Sequence, residues 1–332
     1  MTTISLPFDR QHVPEATIDD LDLELVARTI AAAVDLGRDP GPRDELEYLE
    51  RYNGATRVGG ILRPTVAGII AYGREPDRWV PGTGIDIAAF TSDQISPTGS
   101  RVRQIRGPIF QAIDNAVGLL REYCTISRLD GARLINELDT PAIVLRELST
   151  NAVVHRDLGV YGSQVRILVY PTVIEWSSPG GLPANITIET LLTAQFSRNP
   201  TLAQFLFHAG YIERFGMGLD AVIDALRLER LGDPEFYDDR HSFRVRVRRA
   251  ASLQPTAPDL RTPEGRAAAI LELFTQRQVW RLHEILESVS IPRSTLQRDL
   301  ASLVAQGRVV AQGATKNRIY LLATSEERRL QS

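Results

Sequence analysis

Apolar residues recur at helical spacing near the start of the chain. Leu21, Leu25, Val26, Ile30 and Ala33 follow Thr17, a residue suited to cap a helix, and acids fill the first turn, so a helix is predicted over 18–35. After the Gly/Pro-rich loop DLGRDPGPRDE, DELEYLERYN reads as a short helix and GIDIAAFTS as a strand. Ile109, Ile113, Val117 and Leu120 then share one side of a further helix, whereas LRPTVAGIIAYGREP is apolar without a decisive period. Residues 1–130 are therefore read as a mixed α/β support domain without a chemical motif.

The pattern over 131–250 is richer. Pro141 stands where a helix start tolerates it, and AIVLRELSTNAVVHRD continues as the helix, with Val144, Leu145, Leu148 and Ala152 as its buried stripe. Glu147 and Asn151, one turn apart, share a neighbouring face, so their side chains can converge. Val165, Ile167 and Val169 alternate as a strand that pairs with Ile174 to Trp176 through a Pro171-Thr172 turn. Helices are predicted over 186–194 and 200–209, another after the glycine turn Phe215-Gly216-Met217-Gly218, and a closing strand in HSFRVRVRRA. This order predicts an α/β sandwich, an antiparallel sheet with helices on one face. A proline-bearing linker over 251–262 separates it from a third domain at 263–324.

That third domain predicts a winged helix-turn-helix: GRAAAILELFTQR with Ile270, Leu271 and Phe274 inward, RLHEILESV, then TLQRDLASLVAQG with Leu296, Leu300, Leu303 and Val304 inward, and two strands around a basic tip. The whole chain has 332 residues, 43% hydrophobic and 24% charged, with a net charge of -3, which is unlike a protein that coats nucleic acid with its entire surface. Residues 261–332, however, carry 11 Lys/Arg against 7 Asp/Glu. Arg293, Ser294, Thr295, Gln297 and Arg298 on the second helix of the motif, with Lys316 and Arg318 on the wing, are the residues expected to meet double-stranded DNA. Cys124 is the single cysteine, which excludes an intrachain disulfide and a cysteine zinc site. No run of 18 apolar residues occurs, so a cytoplasmic protein without a membrane partner is expected.

Cleavage of a phosphoanhydride requires a base or positioner for water, a ligand for magnesium, and backbone N–H groups around anionic oxygens. Glu147 suits the first role, Asn151 the second as the metal ligand, and the Gly216-Met217-Gly218 turn entering a helix the third. Arg198 and Asn199 suit either contact with a γ-phosphate or capping of their loop, whereas His155 and Asp157 at the helix end are read as a structural pair.

Leu145 to Leu226 resembles the ATP-binding domain of the GHKL superfamily that includes gyrase and histidine kinases, and most closely its branch in RecG-like, AlbA-associated transcriptional regulators. RELSTNAVVHRD resembles that branch's N-box, IEWSSPGGLP with Gly181 its first glycine box, and RNPTLAQFLFHAGYIERFGMGL its lid and second glycine box. The resemblance implies a Bergerat-type fold, ATP and Mg2+ as ligands, and the water-activating position at Glu147. Ser177 stands where the superfamily reads adenine through an aspartate, and the chain begins where an AlbA-type domain would have ended. The expected function is a DNA-binding, homodimeric regulator whose nucleotide site, at most a weak ATPase, modulates DNA binding. The competing reading is a non-enzymatic transcription factor or scaffold whose GHKL-like fold only dimerises. A helicase is excluded by the lack of GxxxxGK[ST], and no dimerising helix with a phosphoacceptor histidine precedes the N-box.

Overall fold

The computed structural model describes residues 6–38, 40–93, 95, 100–130, 133–183, 185–194, 196–213, 218–250, 260, 262–277, 279–289, 291–313 and 318–322. The chain divides into two compact units, Met1–Leu253 and Gln254–Ser332.

In the first unit, Asp22 rather than Thr17 caps the long helix: its carboxylate accepts from Glu24 N and Leu25 N, so α1 is Leu23–Asp35, and Thr17 opens a short 3-10 turn, Ile18–Asp20. α2 (Glu45–Arg51) and the hairpin β1 (Ala55–Val58) and β2 (Ile61–Pro64) follow. The apolar stretch of undecided type becomes α3 (Val66–Tyr72), buried at every residue, and α4 (Pro76–Trp79) is one turn. β3 (Ile85–Ala89) and α5 (Ile109–Tyr123) lie where expected, and an unanticipated strand, β4 (Arg101–Ile105), pairs with β3. A two-stranded ribbon, β5 (Thr125–Asp130) and β6 (Arg133–Leu138), leads into α6 (Ala142–Val154).

β7 (Val165–Val169) and β8 (Val173–Pro179) form the predicted hairpin, with Tyr170 N donating to Val173 O at 2.9 Å. α7 (Pro200–His208), α8 (Gly218–Leu228), β9 (Glu235–Asp238) and β10 (Ser242–Arg248) close the unit. Its main sheet has six strands in the order β4-β3-β7-β8-β10-β9. Two expectations change here. β3 pairs with β7 in parallel, Ile85 beside Val165, so the sheet is mixed rather than antiparallel, and it runs across residue 130 instead of starting after it. The apolar alternation of Ile85 and Ile87 needs a partner sheet, and Val165 and Ile167 supply it on the face that α5 and α6 cover. Residues 186–194 make turns, not a helix: Thr190 Oγ1 accepts from Thr187 N, and such threonine bonds to the nearby backbone compete with the helical ladder.

The second unit has its own core of Ile270, Leu273, Phe274, Ile285, Leu296, Leu300 and Leu303. Ile270 and Phe274 are buried on its first helix as expected, joined by Leu273, whereas Leu271 is only partly buried. The helices are α9 (Pro263–Gln276), α10 (Leu282–Ser288) and α11 (Arg293–Ala305). A short strand β11 (Val279–Arg281) joins β12 (Val309–Gln312) and β13 (Ile319–Leu322) in the order β11-β13-β12, which adds a third strand to the two expected. A buried ion pair, Arg266 Nε to Asp299 Oδ2 at 2.6 Å, ties α9 to α11.

Candidate functional site

A cavity of about 420 Å³ opens over α6 and the end of β8. Its size is that of small-ligand sites in general. Much of the wall is apolar, with Leu148, Trp176, Leu182, Phe196, Phe236 and Phe243 among its residues. A few polar groups interrupt it, and α6 contributes three of them. Glu147, Asn151 and His155 recur every four residues, and all three line the cavity on the side of the helix next to its buried stripe.

Glu147 is 6% exposed. Its Oε1 accepts from Arg146 Nη2 at 2.7 Å and Nε at 3.2 Å. The other oxygen lies against Gly218, the first residue of α8, where a Cβ would collide with the carboxylate. Glu147, Asn151 and Gly218 line the same cavity. Gly216 and Met217 lie outside the described residues.

β8 supplies the opposite wall. Trp176 Nε1 donates to Ser149 Oγ (3.0 Å), and Ser178 Oγ donates to Ala152 O (2.7 Å), so both point to α6. Strand alternation then aims Ser177, 5% exposed, at the other face of the sheet, beside Arg166 and Arg244 on the neighbouring strands. The cavity-facing hydroxyl is Ser178, and the expectation for Ser177 is corrected by one residue. In a strand, a shift of one moves a side chain through the sheet. Gly181 lines the cavity as expected, beside Gly180.

Arg198 also lines the cavity, whereas Asn199 does not. Asn199 is 1% exposed, and its amide nitrogen donates to Val154 O (2.9 Å) and Arg156 O (2.8 Å), which satisfies the last carbonyl of α6 and one just beyond it. It holds α6 to α7 instead of contacting a ligand. His155 and Asp157 do not pair as expected. Asp157 accepts from Gly159 N (2.9 Å) and stands 3.8 Å from Arg198, while the His155 ring faces the cavity. Solvent reaches that ring through the cavity, yet protein surrounds it. Desolvation, and secondarily the charge of Arg198, pull its pKa down to about 4, so the imidazole is neutral near pH 7. Glu213, another wall residue, pairs with Arg38 at 2.8 Å. Sequence reasoning missed Ser178, Ser197 and the cavity role of His155. The N-box resemblance drew attention to the helix but not to the side of it that each later residue occupies.

On α11, Arg293, Ser294, Gln297 and Arg298 are exposed, Thr295 is half-buried, and Ala301 and Ser302 extend the same outer surface. Asp299, the one acid in α11, is turned inward to Arg266, so this surface carries arginine without carboxylate. Arg318, before β13, is exposed, as is the unanticipated Arg308 before β12; Lys316 lies outside the described residues.

Comparison with known proteins sharpens both sites. Residues 162–247 match the family described as "Putative ATP-dependent DNA helicase recG C-terminal", and residues 265–313 match the IclR helix-turn-helix domain. The chain carries a RecG-type C-terminal ATPase-like domain and an IclR-type helix-turn-helix domain. The ATPase-like match covers β7 to β10 and starts after α6, so Glu147 and Asn151 precede it. The pair of domains agrees with the resemblance to RecG-like regulators and with a DNA-binding regulator that has an ATPase-like domain. No curated protein matches the chain. The fold is similar to the crystal structure of the DIP2311 protein from Corynebacterium diphtheriae, with a TM-score of 0.58 at 18% identity over 99% of this chain. This chain spans 66% of the length of that protein, and the likeness is one of fold. No helix among the described residues is long and apolar enough to cross a membrane.

Proposed function

We propose that the chain is a homodimeric, double-stranded-DNA-binding regulator whose ATPase-like domain takes a nucleotide, and that the bound state changes DNA binding. The observation that carries this reading is the convergence on one cavity of Glu147, Asn151, the Gly180-Gly181 turn and the N-terminal residue of α8. A helix N-terminus favours anionic oxygens, and the apolar walls suit a planar ring.

Among the described residues no cluster of three or more His, Cys, Asp or Glu is arranged to hold a metal alone. Magnesium is commonly held by one or two protein groups together with substrate phosphates. Asn151 and Glu147, adjacent on one face of α6, would hold the metal, which would neutralise phosphate charge there. Glu147 positions water only once Oε1 leaves Arg146, so turnover is slow or absent.

Titrating ATP and magnesium into the protein by calorimetry tests the nucleotide half, with heat of binding expected and its absence counting against it. Fluorescence anisotropy on duplex DNA with and without ATP tests the coupling, and sedimentation tests the dimer. One observation favours a second reading, in which the ATPase-like fold only dimerises: β8 turns Ser178 and not a carboxylate into the cavity. Under that reading ATP does not change DNA binding, and Glu147→Ala leaves DNA binding untouched.

A further inference from the structure

The cavity has polar groups that the pairing of Glu147 with Asn151 leaves unused. Ser197 and Arg198, consecutive in the segment that enters α7, both line it. Each brings a buried polar atom, Ser197 Oγ and Arg198 Nη1, with no hydrogen-bond partner among the described residues. The guanidinium is otherwise seated. Its Nη2 donates to the Gly181 carbonyl, and the carboxylate of Asp157 lies 3.8 Å from Nη1, beyond hydrogen-bonding reach. Gly180, at φ +87°, passes so close that a Cβ would overlap both the guanidinium and Asp157. The backbone there has given up a side chain to accommodate the arginine.

Buried polar groups are nearly always satisfied, so two neighbouring orphans on one cavity wall mark the place of an absent acceptor. Charge points the same way. An anion beside Glu147 needs a cation between them, whereas at Arg198 it is attracted directly, and the field of that arginine is already felt inside the cavity by the His155 ring. We propose that Ser197 Oγ and Arg198 Nη1 form an oxyanion subsite that holds one phosphate of the ligand at the Gly180-Gly181 turn, apart from the magnesium-bound phosphate beside Glu147 and Gly218. This rests on the reading that the cavity takes a nucleotide. The same donor pair suits a phosphate carried on a nucleotide and a free inorganic phosphate.

Calorimetric titration of the full chain with ATP and magnesium, with adenosine, and with inorganic phosphate separates these cases. Ser197→Ala removes an oxygen that no hydrogen bond among the described residues uses, so the melting temperature should be unchanged. ATP should then bind about 10-fold more weakly, as for loss of one hydrogen bond to a charged group, while adenosine binds as before. Arg198→Gln, which keeps an amide donor for the Gly181 carbonyl, should show the same contrast with a melting curve to verify folding. An unchanged ATP affinity in Ser197→Ala, an equal loss for ATP and adenosine, or binding of adenosine without ATP overturns the subsite. If neither ATP nor adenosine binds the wild type, the nucleotide reading fails by itself. The subsite is then decided by phosphate: thermal stabilisation that Ser197→Ala abolishes supports it, and no stabilisation overturns it.

Discussion

Asp139 and Arg249 make the most consequential buried ion pair of the first unit. Asp139 is fully buried and accepts from Arg249 Nη2 at 2.6 Å and Nε at 3.0 Å, and Arg249 also donates to Tyr170 O (2.7 Å) and Tyr123 O (2.9 Å). Ala250 N donates to Asp139 O, so the pair fixes the end of β10 to the residues just before α6. Asp139→Leu leaves a buried guanidinium without its counter-charge, which costs about 3–5 kcal/mol. Arg249→Met strands the carboxylate and also deprives two carbonyls of a donor, each worth roughly 1–3 kcal/mol, so it should be the more damaging single change. The double variant removes both charges but still leaves those carbonyls unsatisfied. It should be more stable than Arg249→Met while staying below the wild type. In a unit of this size 1 kcal/mol moves the midpoint by about 2–4 °C, so Asp139→Leu should lower it by roughly 6–20 °C. Differential scanning calorimetry is the assay, and the transition of the 254–332 unit should stay in place. Single variants that each cost less than about 1 kcal/mol, or a double variant less stable than Arg249→Met, would refute the reasoning.

Three further outcomes are expected. By NMR, His155 should stay neutral until about pH 4, and Arg198→Ala should raise its pKa only part of the way to 6.5, because desolvation is the larger cause. Since the unfolded ring takes up its proton near pH 6.5 and the folded one does not, stability should fall as pH drops from 6.5 towards 4, a loss that His155→Gln removes. Gly180→Ala, at φ +87° and against Arg198, should cost about 1–2 kcal/mol in urea titrations and weaken any cavity ligand; an unchanged midpoint would contradict the crowding. On duplex DNA, Arg298→Ala should cost about 1–3 kcal/mol and relax sequence preference, whereas Arg318→Ala should weaken all sequences alike and reduce the salt slope by about 1, both readable by anisotropy at several salt concentrations.

What the sequence made legible followed from periodicity. α6, the β7–β8 hairpin and α11 each bury a regular apolar stripe, and each lies where that stripe placed it. Strand alternation was visible too, but not which face of the sheet was the cavity face, and so Ser177 stood in for Ser178. That choice depends on α6, whose Ser149 and Ala152 accept from Trp176 and Ser178. The parallel pairing of β3 with β7 was illegible for a similar reason. Nothing local distinguishes Ile85 and Ile87 as a central strand from the same residues in a separate support domain. Asn199 has the chemistry of a ligand, and only the position of α6's C-terminal carbonyls reveals it as a cap.

The N-terminal segment consequently has more to do with the cavity than its lack of motifs implied. Asp9, fully buried, accepts from Thr201 N at 2.7 Å and Leu202 N at 3.2 Å and so caps the start of α7, directly after Ser197 and Arg198. At the other end of α7, Arg38 donates to Phe207 O and Ile212 O, lies over the Phe207 ring, and pairs with Glu213 in the cavity wall. Both ends of one cavity-bounding helix are thus held by residues more than 160 positions earlier in the chain. Burial raises the Asp9 carboxyl above its ordinary pKa, against the backbone bonds that lower it, so the cap is strained towards protonation. A ligand that orders Ser197 and Arg198 must act on a helix whose position is already set from outside the ATPase-like domain. The region before residue 130 is therefore part of the site's architecture and not a detachable support.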